Sequence, residues 1–135
     1  MNTKNSILLV MISILMFNCS GLKSYKADHF TFEKAFYQSW VTKTNEKGTD
    51  IVIELSNINK NVVFQSIAFR GFKIPVIQET NSDKTILKGV IITGESKLDL
   101  EHEITDEPDQ LIYQYQNTTF VLPLESIERK DMIYY

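Results

Sequence analysis

Ile51-Val52-Ile53-Glu54-Leu55-Ser56-Asn57-Ile58-Asn59-Lys60-Asn61-Val62-Val63-Phe64-Gln65-Ser66-Ile67-Ala68-Phe69-Arg70 is the stretch that decides the fold. It opens on β-branched residues, which suit a pleated, half-buried surface. Asn57 to Asn61 then supply turn formers. The run from Val62 to Arg70 is again strand-like, but its alternation is not clean. Val62, Phe64 and Ala68 share one parity, and Val63, Ile67 and Phe69 the other. A strand covered on both faces, or one carrying a bulge, would read this way.

Downstream the same rhythm continues. Gly71 permits a bend, and Phe72 to Ile77 reads as one extended piece. Pro75 cannot donate to a ladder, so that piece is expected at an edge or a bulge. Asn81-Ser82-Asp83-Lys84 is a turn, and Thr85 to Thr93 a strand in which Gly89 marks a kink. After Gly94-Glu95-Ser96, Lys97 to Ile104 alternates Leu98, Leu100 and His102 against Lys97, Asp99, Glu101 and Glu103. Thr105 to Asp109 is a loop broken by Pro108. Leu111 to Tyr115 and Thr118 to Leu122 flank Gln116-Asn117, a two-residue hairpin candidate. Ile127 to Tyr135 is a last extended segment. Short apolar runs with turn clusters about every 10 residues predict an all-β protein. The expected architecture is an antiparallel β-sandwich, immunoglobulin-like or related, formed by residues 28–135 as one domain.

Upstream lies Thr31-Phe32-Glu33-Lys34-Ala35-Phe36-Tyr37-Gln38-Ser39-Trp40-Val41. Phe32, Phe36 and Trp40 recur at helical spacing, with Asp28 as a cap. Read as a strand, Phe36, Gln38 and Trp40 share one face. The aromatic content and the β context downstream favour the strand. Trp40 is then expected at the centre of the sandwich core, the other use of such a ring being a binding platform with Tyr37. Tyr134 and Tyr135 form a second candidate binding surface.

The first residues carry a different signal. Met1 to Asn5 are polar around Lys4, and Ile7 to Phe17 are apolar but for Ser13. That is the layout of a secretory signal, and it is shorter than the roughly 20 apolar residues of a membrane-spanning helix. The run ends at Asn18-Cys19-Ser20-Gly21, which places the chain's one cysteine at the cleavage junction. This layout resembles a bacterial lipoprotein signal, with Met16-Phe17-Asn18 in place of the usual box. The resemblance implies cleavage after Asn18 and acyl chains on Cys19, with residues 19–27 as a tether. Ser20 is not an inner-membrane retention aspartate, and no acidic cluster follows Cys19, so the expected site is the periplasmic face of the outer membrane. The order Tyr37-x-x-Trp40-Val41, Ile51 to Leu55, Val63-Phe64-x-x-Ile67-x-Phe69-Arg70-Gly71 and Ile133-Tyr134-Tyr135 is similar to a group of small Bacteroidetes lipoproteins. That resemblance implies the fold and the location, and no activity.

Composition agrees with a single folded domain. Hydrophobic residues make up 43% and charged residues 23% of the 135, ordinary for a globular chain. With 14 basic and 17 acidic residues, it lacks the basic excess that would displace counterions from nucleic acid. A lone cysteine excludes an internal disulfide and a cysteine-based zinc site.

Catalytic patterns are scarce. No Gly-x-Ser-x-Gly elbow, phosphate loop, HExxH or calcium loop occurs. His29 sits beside the tether, and strand alternation puts His102 on the face opposite Glu101 and Glu103. Those two glutamates share a face about 7 Å apart, a spacing compatible with a glycosidase pair but explained by a solvated strand. The acidic loop Asp106-Glu107-x-Asp109 reads as an ordinary polar loop. The expected function is therefore a lipid-anchored envelope binding or structural module, not an enzyme, with no metal or cofactor. Its partners would be the membrane, through Cys19, and an envelope protein or glycan. The alternative is a small envelope hydrolase using Glu101 and Glu103 or a histidine.

Overall fold

The computed structural model describes residues 29–93, 103–125 and 127–135. In chain order its strands are β1 (Thr31–Val41), β2 (Lys47–Ser56), β3 (Val62–Phe69), β4 (Phe72–Pro75), β5 (Ile77–Asn81), β6 (Lys84–Ile92), β7 (Glu103–Ile104), β8 (Gln110–Tyr115), β9 (Thr118–Pro123) and β10 (Glu128–Tyr134). They form two five-stranded sheets, ordered β10-β1-β2-β6-β5 and β7-β4-β3-β8-β9. The protein is the expected all-β sandwich. Thr31 to Val41 is a strand along its whole length, not a helix. One pair departs from the antiparallel rule: β10 lies parallel to β1 at the edge of the first sheet.

Alternation builds the core. Ile51, Ile53 and Leu55 of β2 and Leu87 and Ile91 of β6 face Ile67 and Phe69 of β3, Ile74 of β4 and Leu111 and Tyr113 of β8. Ile51, Ile53, Leu55, Ile67, Ile74, Leu87 and Leu111 are fully buried, so each contributes roughly 1.5–3 kcal/mol of apolar transfer. The uneven alternation of Val62 to Phe69 now has a cause. Between Phe64 and Ser66 the register against β8 shifts, leaving Gln65 as an extra residue. Phe64 before the bulge and Ile67 and Phe69 after it thereby reach the same core. Ala68 and Ile112 are also buried, although their parity is opposite to that of Ile67 and Leu111. The middle of this sheet is thus covered on both faces.

Three expectations need correction. Phe72 to Ile77 is not one strand: β4 belongs to the second sheet and β5 to the first, with the change of sheet at Val76. Pro75 ends β4 there, where its missing N–H costs no ladder bond. Gly89 is not a kink, because β2 and β6 stay in unbroken register past it. Its role is room: a Cβ there would meet Ile74 Cδ1 at 2.5 Å, so the absent side chain lets the facing sheet approach. Trp40 is not the centrepiece of the core; Ala35 and Tyr37 of β1 pack there instead. Of the expected strand Lys97 to Ile104, Glu103–Ile104 pairs with β4, and the remainder lies outside the described residues.

Two tight turns match their residues. Arg70 (φ 48°) and Gly71 (φ 84°) join β3 to β4, and Gln116 (φ 49°) and Asn117 (φ 63°) join β8 to β9. Paired positive φ angles are the two-residue hairpin geometry whose twist suits adjoining strands.

Candidate functional site

The two ends of the sandwich differ in what they expose. Residues 29 and 30 meet β3, β8 and β9 at the end where the chain enters: His29 lies 4.3 Å from the Tyr115 ring and Phe30 5.0 Å from that of Tyr113. From there β1 runs its eleven residues, roughly 35 Å at strand rise, to the opposite end. At that far end, on the outer face of the first sheet, is a shallow groove of about 350 Å³.

Trp40 forms its floor, and the reason is local. Parity along β1 sends Ala35 and Tyr37 inward and Phe36, Gln38 and Trp40 outward. Trp40 lies directly across the β1–β2 ladder from Gly48. The Cε2 edge of its indole would stand only 2.5 Å from a Cβ at Gly48, so the ring occupies the space that glycine leaves. Its Nε1–H donates to Asp50 Oδ1 at 3.0 Å, and the other carboxylate oxygen, Oδ2, lies 3.3 Å from Lys88 Nζ. The indole, the carboxylate and the ammonium thus form one chain across β1, β2 and β6.

The rim is held by a short turn. Thr42 N–H donates to Glu46 O, Asn45 N–H to Thr42 O, and Glu46 N–H to Thr42 Oγ1 at 3.1 Å. Asn45, at φ 64°, takes the left-handed position of this turn. Thr42, Glu46 and Val90 line the groove beside Trp40, and Tyr135 closes it. Tyr135 is positioned by its own N–H, which donates to Val41 O at 3.0 Å. The groove therefore joins residues from β1, the β1–β2 turn, β2, β6 and the segment after β10.

The residues marked by sequence fall in several places. Tyr135 belongs to the groove, whereas Tyr134, opposite Val41 in the β1–β10 register, is 77% exposed and does not line it. Tyr37 faces inward. Its ring is 5.3 Å from Phe69, and Arg70 stacks over it at 4.7 Å while donating from Nη2 to its hydroxyl. His29 is packed among aromatic rings, with Nδ1 3.0 Å from the Tyr113 hydroxyl. Glu103 is exposed on the two-residue edge strand β7. Cys19, Glu101 and His102 lie outside the described residues. In the acidic loop, Glu107 pairs with Lys73 at 3.5 Å, and Asp109 accepts the Arg70 N–H at 2.7 Å. Both acids are engaged in fixing the loop, and among the described residues no group of three His, Cys, Asp or Glu side chains is placed to hold a metal.

Asp50, Lys88, Thr42 and Glu46 were not marked by the sequence reading. A signal existed in retrospect: a tryptophan and a glycine flanking a polar turn at hairpin spacing. A second hollow, of about 540 Å³, lies over Lys60, Asn61, Val63 and Gln114 and carries no aromatic side chain. The Trp40 groove alone of the two combines a ring with paired charges.

No protein family, curated protein or solved structure matches this chain. The groove's chemistry has to speak for itself. Asp50 is engaged by both Trp40 and Lys88, which suits a carboxylate that orients neighbours and accepts hydrogen bonds from a bound molecule.

Proposed function

We propose that this protein is a lipid-anchored binding module of the bacterial envelope, held at Cys19 and presenting the Trp40 groove at the end remote from its anchor. The single observation that supports this best is the polarity of the sandwich. The chain enters beside Tyr113, Tyr115 and Phe120, while Trp40 and Tyr135 meet at the other end of β1. A tether of residues 19–27 on that side would hold the groove away from the lipid surface. Two or more acyl chains on Cys19 would make attachment firm, at about 0.8 kcal/mol for each buried CH₂. The periplasmic face of the outer membrane is the location this reading favours.

Metabolic labelling tests it. Labelled palmitate should enter the wild-type chain and fail to enter Cys19→Ser, and the wild-type protein should fractionate with outer membranes. A mature N-terminus elsewhere than Cys19, or no label, would overturn the anchor.

A further inference from the structure

We infer that the Trp40 groove binds a neutral saccharide, one or two sugar rings at a time, with a sugar face against the indole. The inference deepens the binding-module reading and rests on it for the biological setting, but not for the chemistry.

Trp40 has already committed its N–H to Asp50, so what the ring offers a ligand is π surface. Asp50 and Lys88 balance each other at 3.3 Å, and Glu46 lies at the rim. An anion such as phosphate would have to compete with the Asp50 carboxylate for the one ammonium, Lys88. A purely apolar ligand would have to desolvate Asp50 and Lys88 with nothing to offer them, which is unfavourable. A sugar fits both demands. Its C–H face covers an aromatic ring, and its ring hydroxyls donate to a carboxylate and accept from an ammonium.

The geometry agrees. The polar groups are not free-swinging: Asp50 is tied to Trp40 and Lys88, and the turn carrying Thr42 and Glu46 is closed on itself. Preorganised partners lower the ordering cost that usually makes sugar binding weak. Tyr135 supplies a second ring, 64% exposed, at the margin of the groove. A volume of about 350 Å³ lies near the small end of ligand sites, which fits a short oligosaccharide rather than a folded partner.

Trp40 is the chain's one tryptophan, so its fluorescence reports this groove and nothing else. The full chain, in a sugar-free zwitterionic detergent, is titrated with malto-, xylo-, manno- and chito-oligosaccharides, and with inorganic phosphate as the anionic probe. The expected result is a saturable change in Trp40 emission with at least one neutral oligosaccharide, at a Kd of about 1 mM or tighter. Calorimetry should show that Tyr135→Ala and Lys88→Met each weaken it at least about fivefold, the loss of one ring contact or one charged hydrogen bond. Neither substitution touches the core, so both variants should fold. No response to any neutral oligosaccharide, binding unchanged in both variants, or binding of phosphate alone would overturn the inference. A chain that incorporates palmitate but ignores sugars would refute the saccharide and leave the anchored module standing. Sugar binding without palmitate would do the reverse.

Discussion

The two ends of this sandwich use aromatic residues in opposite ways. Where the chain enters, His29, Phe30, Phe64, Tyr113, Tyr115 and Phe120 close on one another, with Phe30 4% and Tyr113 2% exposed. Tyr113 and Phe120 stack with centroids 5.7 Å apart, and Phe30 meets Tyr113 edge-on. At the far end Trp40 has no facing sheet above it. It is held sideways, by Gly48 beneath and by Asp50 and Lys88 beside it. The difference teaches that a ring's task here follows from the face its strand assigns to it. Rings between the layers are excluded from water by other rings, and a ring on an outer face is stabilised by charged neighbours that leave part of it accessible.

The contrast can be broken most directly at Phe30. Phe30→Ala should destabilise the protein by about 3–5 kcal/mol in urea unfolding, as expected for a core aromatic. A cost near that of an ordinary surface change would mean that the first end is no more closed than the second. Gly48→Ala comes next. Its Cβ would crowd the Trp40 ring and approach Ile91 O to 2.9 Å, so about 1–3 kcal/mol of overpacking is expected, together with a shift of Trp40 emission as the ring is displaced. Unaltered emission would show that the ring does not rest on Gly48.

Trp40→Ala sharpens the comparison, since it should cost less than half of the Phe30 effect, about 1–2 kcal/mol. Combined with Gly48→Ala, the two losses should sum to less than their separate values, because removing the indole removes much of the crowding. Full additivity would place ring and glycine out of contact. The smallest effect is expected at Lys88. Its pairing with Asp50 is 41% exposed on the lysine side, so Lys88→Met should move stability by no more than about 0.5 kcal/mol. A loss several times larger would mark the ion pair as structural rather than available to a ligand.

Much of the strand pattern is legible in the sequence alone. The β-branched run of β2, the turn formers after it and the Gln116-Asn117 hairpin are local signals, and local physics determines them. Even the bulge at Gln65 left a trace, as a change of parity between Phe64 and Ile67. The break between β4 and β5 was half legible: Pro75 announced an interruption, but not that the chain would cross to the other sheet there. Gly89 was misread because a glycine within a strand looks the same whether it bends its own strand or makes room for a facing one.

The groove was not legible for a related reason. Alternation states which residues of a strand share a face and leaves open which of the two faces meets the other sheet. On β1 both faces carry rings, Tyr37 on one and Phe36 and Trp40 on the other, so hydrophobicity does not choose between them. The choice is made by the partner strands. Ile51, Ile53 and Leu55 of β2 must be buried, and their pairing with β1 turns Tyr37 in and Trp40 out. Tyr135 reaches the same place only because β10 adds to the edge in parallel, across 95 positions of sequence from Trp40. The amino-acid sequence by itself thus determined that this chain makes strands, where they turn and which side chains travel together. Only the tertiary structure decided which aromatic rings became core and which became surface, because burial depends on the facing sheet, and no strand contains the residues of the sheet that covers it.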